Sequence, residues 1–170
     1  MGYPVFYSDQ VSKNLLIESN EVVSQIKNLL GAKAYFESGE ANKPFIASKI
    51  FSNQTLLTKM NAIMHPAVRN AFKIWCAKQN KKLVFNEAAI LFETDGHLQF
   101  DKTILVTAPL ALKIKRIIKR DGLTHEQINN RMSKQWDDEK KTPLANYVIK
   151  NGENDMIIQQ INTIINSVII

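Results

Sequence analysis

At 170 residues the chain has the length of one domain and enough to bury about 70% of its unfolded surface; with 45% hydrophobic and 22% charged residues it is not a disordered polymer. One cysteine, Cys76, excludes an internal disulfide framework and suits a reducing compartment, no apolar run approaches membrane-spanning length, and residues 1–10 lack the basic start and apolar stretch of a secretory signal, so the chain reads as cytoplasmic. The net charge of +6 suits a polyanion, whether nucleic acid or a phosphorylated small molecule; nine of the 22 Lys and Arg fall within residues 113–141, where the plain reading is a solvated helical face.

Residues 4–7 predict a short apolar strand, after which Ser8 and Asp9 offer a helix N-cap and residues 11–17 a helix. A second helix opens at Ser19, places Val22, Val23, Ile26, Leu29 and Leu30 on one face, and stops at Gly31. Residues 44–51 and 56–64 carry helical spacing. His65-Pro66 is expected to interrupt, with Pro66 in the first turn of a new helix that turns Val68, Phe72, Trp75 and Cys76 inward. Residues 82–86 then predict a buried strand, and T-I-L-V-T at 103–107 a β-branched one. A helix through Leu112, Ile114, Ile117 and Ile118 follows Pro109. Thr124 and Gln127 form a capping box for the next helix, residues 147–149 make a last strand, and an Asn151-Gly152 turn leads into a closing amphipathic helix. Apolar strands alternating with helices imply an α/β fold: a parallel sheet covered by helices, with residues 10–80 as a helical cap or substrate-binding region.

Six stretches, in this order and at this spacing, are G-Y-P-V-F-Y-S-D (2–9), K-I-F-S-N (49–53), M-N-A-I-M-H-P (60–66), I-L-F-E (90–93), K-R-I-I-K-R-D-G-L-T (115–124) and Y-V-I-K-N-G (147–152). Together they resemble dephospho-coenzyme A kinase, across essentially the whole chain. The resemblance implies a P-loop kinase fold of the nucleoside-monophosphate-kinase type in a single domain, 1–170. Residues 10–80 would be its coenzyme-A-binding helices, 112–141 its basic lid and the remainder its core sheet. It also implies ATP with Mg²⁺, transfer of the γ-phosphoryl to the ribose 3′-hydroxyl of dephospho-coenzyme A, and no nucleic-acid or membrane partner.

One departure stands at the front. Members of that family begin with a strand, a G-x-x-x-x-G-K-[ST] loop and a helix. None of the six glycines here, Gly2, Gly31, Gly39, Gly96, Gly122 and Gly152, is followed by lysine. The sequence starts just after the point where such a loop should end, so the family's first central strand is expected to be missing and to leave unpaired edges in the sheet. Because that loop's N–H groups cradle phosphates, its lysine reaches the β/γ oxygens and its Ser/Thr holds Mg²⁺, residues 1–170 alone are expected to be poorly stable and catalytically inert.

Individual residues carry two readings each. Asp9, at a strand's carboxyl end, suits either proton abstraction from an attacking hydroxyl or a helix N-cap; the resemblance implies the family's catalytic aspartate. Arg116 and Arg120 lie four apart on one helix face and suit a phosphate clamp or a solvated face; the resemblance assigns Arg116 to the reacting phosphates and Arg120 and Arg131 to the nucleotide. Asn151 is a turn residue by pattern and an adenine ligand by resemblance. His65 lacks any metal-ligand spacing with His97 or His125 and reads as structural, whereas the resemblance places it, with Arg69, at the coenzyme A site. Glu93 is either an acid facing the substrate cleft or a loop acid; the resemblance makes it substrate-binding. No metal site is expected among these side chains. Two other functional classes compete: a non-catalytic protein that binds coenzyme A or dephospho-coenzyme A, and, less favoured, a nucleic-acid module built on the basic segment. The latter lacks glycine-flanked aromatics for base stacking.

Overall fold

The computed structural model describes residues 2–169. The chain is α/β and divides into two compact units between Ala89 and Ile90. In the first, β1 (Val5–Tyr7) leads directly into α1 (Ser8–Glu18), followed by α2 (Asn20–Leu30), α3 (Lys43–Phe51), α4 (Gln54–Ala77) and β2 (Phe85–Glu87). β1 and β2 pair in parallel, with Phe6 opposite Asn86. Phe6 is buried, its ring 5.1 Å from Phe72 and 5.5 Å from Trp75 between centroids, so α4 covers a face of the pair. The helices close around Val22, Ile26, Ala34, Tyr35, Ile46, Met60 and Met64. The Tyr35 hydroxyl reaches that core satisfied, donating to the Leu16 carbonyl at 2.9 Å. Ser19, Asn42 and Asn53 each cap a helix by accepting from a backbone N–H three residues on. Gly31, at φ 88°, ends α2 in a conformation that glycine alone takes without strain.

The strand expected to be buried over 82–86 begins only at Phe85 and has no buried residue, and two further expectations for this unit fail. His65-Pro66 does not interrupt: α4 runs unbroken from Gln54 to Ala77 with Pro66 inside it. Proline has no N–H for the Ala62 carbonyl, but Ala62 is exposed to water, and Met60 and Met64 before the proline, like Phe72 and Trp75 after it, are held by packing. Nor do Ser8 and Asp9 cap α1. Tyr7 holds that position without a side-chain bond, and both residues lie in the first turn. The Ser8 hydroxyl is drawn instead to Asn86 on β2, donating to its Oδ1 at 2.9 Å.

In the second unit, β3 (Ile104–Thr107) and β4 (Tyr147–Lys150) pair in parallel from Ile104 opposite Tyr147 to Thr107 opposite Lys150. α5 (Leu110–Asp121), α6 (His125–Met132) and the four-residue α7 (Asp138–Lys141) lie between them, and α8 (Ile157–Val168) follows. Leu105, Ile128, Ile149, Ile164 and Ile165 are buried. The capping box forms: Gln127 N–H donates to Thr124 Oγ1, and Thr124 N–H donates to Gln127 Oε1. At the mouth of the β3–β4 pair, Asn146 Oδ1 accepts from the backbone N–H and the hydroxyl of buried Thr103. Among the described residues the strands form two separate parallel pairs rather than one continuous ladder. No helix of these residues is long and apolar enough to cross a membrane.

Candidate functional site

Asp9 follows the carboxyl end of β1 with a single intervening residue and is exposed in the first turn of α1. Parallel α/β sheets gather ligands at this end of their strands. The Ser8–Asn86 bond fixes the β1–α1 junction against β2 and so sets the direction in which the Asp9 carboxylate leaves the sheet.

At the carboxyl end of β4 the geometry is tighter. Asn151 N–H donates to the Thr107 carbonyl at 2.7 Å, carrying the ladder one residue past the strand. Gln160 on α8 grips the preceding residue twice, accepting from Lys150 N–H at 2.9 Å and donating to its carbonyl at 3.0 Å. Gly152 N–H donates to Asp155 Oδ2 at 2.6 Å. Onto this fixed loop α5 extends Arg116, whose Nη1 donates to the Asn151 carbonyl at 2.7 Å and to Asn151 Oδ1 at 3.0 Å. The site therefore combines an exposed guanidinium, able to take phosphate oxygens, with an amide that can donate and accept.

Arg120 does not join Arg116. It grips its neighbour Asp121 with two hydrogen bonds, at 2.8 and 3.0 Å, and Arg131 reaches the same carboxylate at 3.4 Å. Hydrogen bonding from Arg120 first, and the charges of both arginines, hold the Asp121 carboxyl below its ordinary range despite some opposing desolvation. Asp121 thus gathers the two arginines assigned to the nucleotide. On α4, the Arg69 Nε donates to the His65 carbonyl at 3.3 Å. Burial first, then the positive charge of Arg69, pushes the His65 imidazole below its usual range, so it is neutral at pH 7.

Glu93 is not exposed to solvent. It forms an ion pair with Lys141 at 2.8 Å, their side chains 10% and 9% exposed, and the same Oε1 accepts from the Trp136 N–H at 2.9 Å. Burial alone would raise its pKa. The Lys141 hydrogen bond, the N–H groups of Glu93 itself and Trp136, and the Lys141 charge outweigh burial and hold the carboxyl below its ordinary value. Its second oxygen, Oε2, and the Nδ1 of nearby His97 are buried without a hydrogen-bond partner among the described residues. The basic segment is accordingly no uniform solvated face: Lys141 is buried, Lys113 pairs with Asp138, and Lys140 stands 3.6 Å over the Trp136 ring.

The structure thus brings Arg116 to Asn151, Arg131 to Arg120 through Asp121, and Arg69 to His65. Sequence reasoning missed Lys141 and Asp121 as partners; Asp121 beside Arg120 was the available signal, whereas nothing in the sequence ties Lys141 to a glutamate 48 positions earlier. Among the described residues no three His, Cys, Asp or Glu side chains come together as a metal cage.

Comparison with known proteins bears on this arrangement. The family model for dephospho-CoA kinase matches residues 1–156. A dephospho-CoA kinase of Bacteroides fragilis is 33% identical over 95% of this chain and 78% of its own length, and one of Chlorobaculum tepidum is 34% identical over 99% and 85%. Among solved structures, TT1252 from Thermus thermophilus superposes with a TM-score of 0.81 at 26% identity, covering 99% of this chain and 84% of its own. The dephospho-CoA kinase from Campylobacter jejuni shares the fold, with a TM-score of 0.65 at 23% identity over 98% and 85%. With the model matching nearly the full length and relatives above 30% identity aligned over most of theirs, the chain belongs to the dephospho-CoA kinase family of phosphotransferases.

Proposed function

We propose that the chain, a single domain over 1–170, works in the cytoplasm as part of a kinase that moves the γ-phosphoryl group of ATP to the ribose 3′-hydroxyl of dephospho-CoA, these residues supplying the side chains for both substrates and not the phosphate cradle. The observation that carries this reading is the family match across residues 1–156, joined to a carboxylate at the end of β1 and a guanidinium–amide pair at the end of β4. Asp9 accepts the proton of the attacking hydroxyl while its oxygen bonds to the γ-phosphorus and the bond to the ADP oxygen breaks. Arg116 neutralises charge on the phosphates, Arg120 and Arg131 hold the nucleotide, and Asn151 faces the adenine. Neutral His65 and Arg69, within the 10–80 region, bind the acceptor. Glu93, buried against Lys141 and Trp136, supports the acceptor site by holding Lys141 and the Trp136 backbone in place. The segment 112–141 serves as the lid. With no acidic cage among the described residues, Mg²⁺ fits this set only as an ion carried on the ATP phosphates and their waters, where it would offset phosphate charge.

Because none of the glycines is followed by lysine, the glycine-rich phosphate cradle is not within residues 1–170. Calorimetric titration with dephospho-CoA, alongside a coupled assay for ADP, tests the proposal. The expected result is one-to-one dephospho-CoA binding that weakens in H65A and R69A, with little ADP formed by these residues alone. Absence of dephospho-CoA binding would overturn the proposed substrate, and rapid ADP formation would overturn the requirement for the cradle.

A further inference from the structure

Asn151 offers two acceptors, its carbonyl and Oδ1, and a single Arg116 nitrogen bridges both. The surrounding loop is otherwise fixed from within the fold: Lys150 by Gln160, the Asn151 N–H by Thr107, and the Gly152 N–H by Asp155. The acceptors of Asn151 are held differently, by the tip of a long, exposed side chain. A guanidinium binds the paired oxygens of a phosphate more strongly than two neutral carbonyl oxygens, because that bond is charge-assisted at both ends. An exocyclic amino group, in turn, needs the acceptors that Arg116 covers.

We propose that Arg116 couples recognition of the phosphate chain to recognition of the base. Phosphates draw the guanidinium off Asn151, and the freed carbonyl and Oδ1 then accept the amino group of a 6-aminopurine. The Asn151 carbonyl, which cannot turn as the side-chain amide can, disfavours a 6-oxopurine, whose oxygen would face it without a proton between them. Arg116 in this respect gates access to the base, while the acceptors of Asn151 set which base is taken. The inference rests on the reading of Asn151 as the adenine ligand given above.

The test uses the 170-residue chain at constant ionic strength and measures adenosine affinity with and without inorganic tripolyphosphate, in the parent, R116M and N151A. In the parent, tripolyphosphate should tighten adenosine binding by about tenfold, and adenosine should tighten tripolyphosphate binding equally, since coupling is reciprocal. R116M should bind adenosine more tightly than the parent, no longer respond to tripolyphosphate, and still reject guanosine. If R116M binds adenosine no better, or tripolyphosphate leaves the parent unchanged, the coupling is wrong while the adenine reading stands. If N151A binds adenosine as well as the parent, or the parent binds none, the adenine reading falls and the coupling with it.

Discussion

Replacing Lys141 with methionine keeps most of the side-chain length and removes the charge that faces Glu93. Both partners are about nine-tenths buried, so solvent does little to screen the carboxylate left behind. Breaking a buried pair from one side costs about 3–5 kcal/mol, and in a protein of this size each kcal/mol lowers the melting temperature by roughly 2–4 °C. K141M should therefore melt roughly 6–20 °C below the parent at pH 7. The double variant E93Q/K141M should recover much of the loss, because the glutamine oxygen still accepts from the Trp136 N–H and no charge remains buried. The pH dependence separates this from a packing effect. In the parent, the Glu93 pKa is lowered by folding, so its contribution is present above the unfolded value near 4.3 and is lost as pH falls through the folded one. In K141M burial dominates and raises the pKa, so the variant should come closest to the parent at acid pH and fall away as pH rises towards neutrality. Thermal unfolding across pH measures both. A deficit of less than about 3 °C at pH 7, or one that does not vary with pH, would refute the reasoning.

N146A should lose about 1–3 kcal/mol in urea unfolding, since it orphans the N–H of buried Thr103; an unchanged midpoint would mean that water replaces the amide. Folding lowers the His65 pKa, so the unfolded chain takes up the proton first as pH falls through about 6.5, and stability should decline there, whereas H65Q should show a flatter profile. A fusion that places a strand, a G-x-x-x-x-G-K-[ST] loop and a helix ahead of residue 1 supplies a phosphate cradle. In that protein D9N should lower 3′-phosphorylation by about 10²–10⁴-fold with dephospho-CoA affinity unchanged; parallel loss of both would make Asp9 a binding group.

Elements whose cause is local were legible. The Thr124–Gln127 capping box, the β-branched T-I-L-V-T strand and the halt of α2 at Gly31 each follow from a few neighbouring residues, and each is present. The breaks came where packing overrides local preference. Proline argues for a helix start, yet contacts on both sides carry α4 through Pro66. Ser8 reads as a cap, yet a partner 78 residues away claims its hydroxyl. Candidate residues could be named from the sequence, but the bonds among them could not. Arg116 and Asn151 stood in separate motifs with nothing to join them, and Arg120, though on the helical face of Arg116, turned to its own neighbour Asp121. Side-chain pairing across 35 or 48 positions depends on how the chain returns, which no local pattern encodes.

The 24-residue helix α4 is about 36 Å long and is missing one rung where Pro66 faces the Ala62 carbonyl. Mechanically it is a jointed beam. One arm is clamped through Met60 and Met64 to Val22 and Ile26, the other through Phe72 and Trp75 to Phe6, and His65 and Arg69 sit at the joint. A load applied at those two residues bears on both arms at once, and one arm ends beside the strand that leads into the turn holding Asp9.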